Sequence, residues 1–364
     1  MNTVVTRRRW IWALGAVLLL GFAALLALRL AMRDLPARVA EALGPRASVE
    51  AIELGWTGVR VRGLVVRGAA GRWPSEHELR ADRVTIRPAL SSLWRPGWRL
   101  SHVSVEGGYL ALLRTRDGKL SVLPSLLDDK PGAKGGKAGA AGTPPLRIGS
   151  ISLRDVSLDF FDATVARGGP PHRLRLTRLR ADVGPLALPA LDERISLDLE
   201  VALRGSPRDG RIALTGHVTP ATRDADLKLD AKGLDLVVLQ PYLLKSGEAS
   251  VKSGTLDLSA QARANRQRLH APGKMVLHDL DLQSSGGVLG TFGGVPRQAV
   301  LAAMSRDGKI ELDFTLEGRI DDPKFSINEL FAARFAVGLA EKLGVSLGGV
   351  VEGVGNVIKG LLGR

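Results

Sequence analysis

From Val59 to Leu316 the apolar residues of this chain return at every second position, and that period decides which folds are open to it. Val59 and Val61, then Leu64 and Val66, alternate with Arg60, Arg62 and Arg67. Side chains two apart share one face of an extended strand, so the spacing builds strands with one apolar face and one solvated, basic face. The same alternation runs through Val103/Val105, Leu110/Leu112, Ile151/Leu153, Leu158/Phe160, Ile195/Leu197/Leu199/Val201, Leu227/Leu229, Leu256/Leu258 and Leu280/Leu282. A mainly β architecture follows.

The connections carry their own chemistry. Arg116-Asp117-Gly118-Lys119, Arg208-Asp209-Gly210-Arg211 and Arg306-Asp307-Gly308-Lys309 each place Asp-Gly before a new alternating run, such as Ile310, Leu312, Phe314 and Leu316. Asp-Gly suits the positive φ angles of a type I′ turn, which predicts antiparallel hairpins in a meander. Three copies in one setting favour a structural turn over a metal or catalytic loop. Leu100, Val103, Val105, Leu110 and Leu112 also superpose on Ile148, Ile151, Leu153, Leu158 and Phe160 at a constant offset of 48. One supersecondary unit is expected to recur, although alternation by itself reproduces part of the match. Between the copies, residues 130–145 (KPGAKGGKAGAAGTPP) have no large apolar side chain and read as a flexible loop. Gly136-Lys137 is followed by Ala138, so the loop lacks the hydroxyl that a phosphate loop places on magnesium.

Both ends break the period. Trp10 to Leu28 contains no charge, and as a helix it would cover roughly 28 Å, close to the hydrocarbon thickness of a bilayer. Arg7, Arg8 and Arg9 with Trp10 and Trp12 form a cationic and aromatic interface in front of it. The run is longer than the core of a cleavable signal peptide and exits into Arg29 and Arg33 without a small-residue cleavage site, so an uncleaved anchor is expected. A short helical candidate, Leu35 to Leu43, follows. At the other end Leu330, Phe331, Phe335, Leu339 and Leu343 recur at helical spacing opposite Glu329, Arg334, Glu341 and Lys342, an amphipathic helix. The last residues, rich in Val and Gly, would be poorly ordered alone in water, so they either touch a lipid surface or plug the end of the β body.

Composition narrows the chemistry. The chain has 364 residues, no Cys, and 51 Lys plus Arg against 37 Asp plus Glu, a net charge of +14. Disulfides, thiolate metal sites and cysteine nucleophiles are excluded. The six His residues form no His-Glu-x-x-His or His-x-His pair, and no Gly-x-Ser-x-Gly elbow occurs, so no catalytic, cofactor or metal site is expected and the chain does not read as an enzyme. The positive charge attracts phosphates, but aromatic residues are only 4% of the chain, too few for the stacking platforms of nucleic-acid binders. Behind a membrane anchor, the phosphates within reach belong to lipid headgroups.

The anchor, the stretch RLSHVSVEGGYLALLRTRDGKLSVLPSLL from Arg99 to Leu127, and the runs 234–261, 278–285 and 305–330 resemble the AsmA-like family of Gram-negative envelope proteins. The resemblance covers most of the chain and lies in the order of loose alternating patterns. It implies an inner-membrane protein, single-pass, with its bulk in the periplasm, whose curved antiparallel β-groove binds phospholipid acyl chains and serves phospholipid transport or outer-membrane homeostasis. The expected organisation is a cytoplasmic N-terminus at 1–9, a transmembrane helix at 10–32, a β-groove segment at 33–129, the loop at 130–145, a second β-groove segment at 146–325 and a helical tail at 326–364. Candidate groove-lining residues are Val103, Val105, Leu110, Leu112, Ile151, Leu153, Leu158, Phe160, Leu312 and Phe314. About twenty strands at ~4.8 Å spacing would extend the groove to ~95 Å. A membrane and acyl chains are the expected partners. The rival reading is a non-transporting scaffold whose groove is filled by its own side chains and which binds an envelope protein.

Overall fold

The computed structural model describes residues 46–55, 58–89, 98–124, 146–165, 169–188, 190–206, 208–243, 250–283, 291–292, 295–296 and 308–320. The segments expected to form the membrane anchor, the Leu35 to Leu43 helix, the loop 130–145 and the helical tail lie outside these residues. Among the described residues no helix is long and apolar enough to cross a membrane.

The described chain is mainly β. Its strands are β1 (Ala47–Ser48), β2 (Ala51–Gly55), β3 (Gly58–Arg67), β4 (His77–Pro88), β5 (Trp98–Arg114), β6 (Leu120–Val122), β7 (Leu146–Asp162), β8 (His172–Gly184) and β9 (Leu186–Leu188). The series continues with β10 (Ile195–Leu203), β11 (Gly210–Thr219), β12 (Asp224–Asp235), β13 (Ser250–Asn265), β14 (Arg268–Gln283), β15 (Thr291–Phe292), β16 (Val295–Pro296) and β17 (Lys309–Arg319). One helix, α1 (Leu236–Leu243), follows β12 directly. Fifteen strands share one sheet in the order β1-β3-β4-β5-β7-β8-β10-β11-β12-β13-β14-β17, with β2, β6 and β9 paired at its margins.

Neighbours along that path are antiparallel with one exception, which corrects the expectation of an all-antiparallel sheet. β5 and β7 run parallel, and their register joins Leu100 to Ile148, Val103 to Ile151, Leu110 to Leu158 and Leu112 to Phe160. The offset of 48 is therefore a hydrogen-bond register, and the two copies of the repeat lie side by side. A parallel pair needs a long crossover, and the chain between Arg114 and Leu146 supplies it. β6 begins that crossover by pairing with the last residues of β5, beyond the reach of β4.

The sequence alternation contains a discontinuity that the backbone explains. Apolar positions are odd-numbered at Val59 and Val61 but even at Leu64 and Val66, and the same change occurs between Val105 and Leu110 and between Leu153 and Leu158. Gly63, Gly107, Asp155 and Arg178 sit at these changes with φ of 60°, 66°, 54° and 54°. Each left-handed residue acts as a bulge in turning the following side chains back to the face they would otherwise leave. No net extra residue results in these pairings: β3 with β4 and β4 with β5 keep their register through it, and the shifts at Asp155 and Arg178 cancel between β7 and β8. β5 and β7 carry the bulge at the same register, so their pairing stays constant throughout.

The Asp-Gly turns also differ from expectation. Gly118 has φ of 81° while Asp117 does not leave the negative-φ region, so this is not a type I′ turn. The amides of Thr115 and Gly118 bond to the carbonyls of Lys119 and Thr115, giving an ordinary turn closed by a left-handed glycine. Asp117 accepts from Thr115 Oγ1 and pairs with Lys119 at 3.0 Å, which holds it there. Gly210 is already in β11, opposite Leu203. Gly308 has φ of 67°, whereas Arg306 and Asp307 lie outside the described residues.

Candidate functional site: an apolar face continuous across the sheet

Following the register from strand to strand shows what the bulges achieve. Ile52, Val61, Val84, Val105, Leu153, Ala181, Leu199, Leu214, Leu229, Ala260, Gly273 and Phe314 are successive direct neighbours from β2 to β17. Every member of this row is apolar. A second row beside it runs Leu54, Val59, Ile86, Val103, Ile151, Val183, Leu197, Gly216, Leu227 and Ala262. Twelve strands at ~4.8 Å make the first row ~53 Å long, shorter than the ~95 Å expected from about twenty strands. β6, β9, β15 and β16 are two- or three-residue pieces off the main path and do not lengthen it.

The rows are not equally covered. Toward the end where α1 packs, the same face becomes a closed core: Leu203, Ala231, Leu234, Leu256, Met275, Leu277, Ile310 and Leu312 pack together, with Val238 and Leu239 of α1 against them. Met275 is 0% exposed and Leu312 2%. Toward the other end Val61, Val84, Val105, Leu153, Leu199, Leu214 and Leu229 stay half-buried. Val105, Leu153 and Leu199 pack against a smaller buried cluster of Val156, Leu179, Ala181 and Val201, and all seven remain partly exposed.

This divides the ten sequence candidates. Val103, Val105, Leu110, Leu112, Ile151, Leu153, Leu158 and Phe160 come together on β5 and β7 and are half-buried. Leu312 and Phe314 share the face but lie at its opposite margin on β17, fully buried. Phe314 covers a gap: a Cβ on Gly273 would lie 2.4 Å from Phe314 Cζ, so the ring occupies the place of the missing side chain. The half-buried members of β8, β10, β11 and β12 escaped the sequence reading as lining residues, although their alternation was visible.

A buried polar network fixes the closed end. Asp235, buried, caps α1 by accepting from Val237 N at 2.8 Å, and its other oxygen accepts from Ser206 N at 2.7 Å. Tyr242 near the end of α1 donates to Asp162 at 3.2 Å, and His172 Nε2 lies 2.9 Å from the Val238 carbonyl. Asp162, 0% exposed, also accepts from Thr164 N at 2.8 Å and faces Arg114 at 3.7 Å. Nearby Asp159 accepts from Tyr109 at 2.8 Å and from Arg173. Burial, reinforced by the Asp162 carboxylate, pushes the Tyr242 hydroxyl well above its ordinary value, and burial does the same for Tyr109. Both remain neutral donors at any physiological pH.

The opposite face is charged. Arg154 pairs with Asp182 at 2.8 Å, Arg211 with Glu200 at 2.6 Å and Lys274 with Glu311 at 2.7 Å. Among the described residues no group of three or more His, Asp or Glu gathers as a metal site would require. Compared with family models, curated proteins and solved structures, the chain matches none.

Proposed function

We propose that the chain binds lipid acyl chains along the half-buried rows and takes part in phospholipid transport or outer-membrane homeostasis, as an inner-membrane-anchored member of the AsmA-like family. The observation that carries this reading is the first row itself: apolar neighbours continue without a polar interruption across twelve strands. Backbone amides are paired between strands, so the face offers hydrocarbon a surface with no unsatisfied polar group. A methylene gains roughly 0.8 kcal/mol on leaving water for such a surface, much as it does in a bilayer, so passage between the two is nearly isoenergetic. No catalytic group is required for sliding. The ~53 Å row implies action close to the anchoring membrane, or handover to a second molecule.

The closed core under α1 favours a second reading for that end of the sheet. There the apolar face is filled by the protein's own side chains, as a scaffold would have it. Native mass spectrometry of the full chain, extracted and exchanged into a neutral detergent, separates the two. Retained phospholipid supports the carrier; a lipid-free protein that binds no added phospholipid supports the scaffold.

A further inference from the structure

The face turned away from the apolar rows carries a local excess of cations that acyl-chain binding does not use. Arg60 and Arg62 on β3, Arg83, Thr85 and Arg87 on β4, and Ser104 and Glu106 on β5 line one shallow polar depression. Register fixes their arrangement. Arg62 stands directly opposite Arg83, Arg60 opposite Thr85, and Thr85 opposite Ser104. Thr85 is thus the centre, with Arg83 and Arg87 two residues to either side on its own strand, ~7 Å away along the backbone.

Two carboxylates adjoin these four guanidinium groups. Glu106 is engaged by Arg83 at 2.7 Å, while Glu53 of β2 is shared by Arg60 at 3.3 Å and Arg62 at 3.1 Å. Arg87 has no carboxylate partner among the described residues. Like charges directly opposite on adjacent strands are destabilising, and Arg62 with Arg83 is that arrangement. Elsewhere Arg154, Arg211 and Lys274 each have a carboxylate of their own, while Arg173 and Arg175 share Asp159, and Arg178 and Arg204 share Asp209. In this depression four guanidinium groups line one concavity with two carboxylates among them. Planar guanidinium groups around two hydroxyl donors suit a tetrahedral oxyanion, which would neutralise the excess and accept from several donors at once.

We propose that Arg60, Arg62, Arg83 and Arg87, with the hydroxyls of Thr85 and Ser104, bind a phosphate group. Inorganic phosphate and a glycerophospholipid headgroup share this chemistry. The site lies across the sheet from the apolar rows, so it would hold a different molecule from one lying in them, and it stands or falls independently of acyl-chain binding.

The test titrates the full chain, in neutral detergent at constant ionic strength, with sodium phosphate and separately with dihexanoyl phosphatidylglycerol below its micelle concentration, by isothermal calorimetry. Arg87→Gln and Arg62→Gln are compared with Arg211→Gln, which removes the same charge from the same face far from the depression. Circular dichroism confirms that each variant is folded. Saturable binding of at least one probe, weakened tenfold or more by Arg87→Gln and Arg62→Gln and less than twofold by Arg211→Gln, is the expected result. A lipid probe bound tenfold more tightly than phosphate identifies a headgroup site, and equal or weaker lipid binding a site for a soluble phosphate. If neither probe saturates, or if the loss is the same in all three variants, the proposal is overturned.

Discussion

Removing one residue from β5 tests whether the bulges maintain the apolar face. Gly107 sits between Val103/Val105 and Leu110/Leu112 with φ of 66°, and deleting it slips one half of β5 by one residue against β4 and β7, whose residues directly opposite share its faces. One set must then change faces. If the Val103 side slips, His102 and Ser104 take the places of Val103 and Val105 in the rows, while two half-buried valines turn to the charged face. Each valine forfeits ~1 kcal/mol at partial burial, and the two polar side chains set among apolar neighbours add ~2–4 kcal/mol. The sum, ~4–6 kcal/mol, rivals the whole stability of an ordinary domain. Gly107→Ala keeps the bulge but forces a Cβ into a left-handed backbone 2.5 Å from Asp82 Oδ2, a cost of ~1–2 kcal/mol. Asp155→Gly, the equivalent change at the paired bulge of β7, relieves a left-handed non-glycine residue and should be neutral or slightly stabilising. Urea denaturation of the full chain in detergent, followed by circular dichroism, should order the midpoints Asp155→Gly, wild type, Gly107→Ala, deletion. A deletion variant as stable as wild type would refute the bulge argument.

Other consequences follow from burial and ionisation. Leu312→Ala, in the closed core, should lower stability by ~2–5 kcal/mol, whereas Leu153→Ala, half-buried on the open part of the same face, should cost ~1 kcal/mol; equal losses in chemical denaturation would contradict the division into closed and open ends. Gly273→Ala should destabilise by more than 1 kcal/mol, because its Cβ meets both Phe314 Cζ at 2.4 Å and the Ser259 carbonyl at 2.7 Å, and Phe314→Leu should recover part of that loss. The chain has only two tyrosines, Tyr109 and Tyr242, so ultraviolet titration reads both directly. Their folded values lie above the unfolded one, so their contribution to stability is intact below pH ~10 and declines as the pH rises beyond it. Native ionisation near pH 10 for both would show that the network around Asp159 and Asp162 is open to water.

The legible part of this fold was local. Val59/Val61 and its counterparts announced strands because period two reflects pleating, a property of neighbouring residues. The offset of 48 was equally plain, yet its meaning as a parallel register was not, since a repeat does not state whether its copies pair, stack or stand apart. The parity changes at Gly63, Gly107 and Asp155 were present in the alternation itself, but Asp155 and Arg178 lack the glycine that flags a left-handed backbone. α1 was missed because Leu236–Leu243 is almost uniformly apolar, contains Pro241 and shows no clear helical stripe; its helical state depends on Asp235 and on the core it covers. The lock on that helix was beyond reach, as His172 and Val238 are 66 residues apart and Asp162 and Tyr242 80 apart. For the candidate site, alternation identified the apolar residues of β5 and β7, whereas only the register showed that they continue through Leu199, Leu214 and Leu229.

The most direct test of acyl-chain binding is photo-crosslinking in living cells, with a benzophenone amino acid placed singly along one stretch of sheet. Positions Leu199, Leu214 and Leu229 lie on the half-buried row, and Asp198, Thr215 and Lys228 beside them point to the charged face. Phospholipid adducts at the first three positions and none at the second three are the predicted outcome. Adducts shared equally by the two faces, or adducts only to protein at the first three, would contradict a row that carries hydrocarbon.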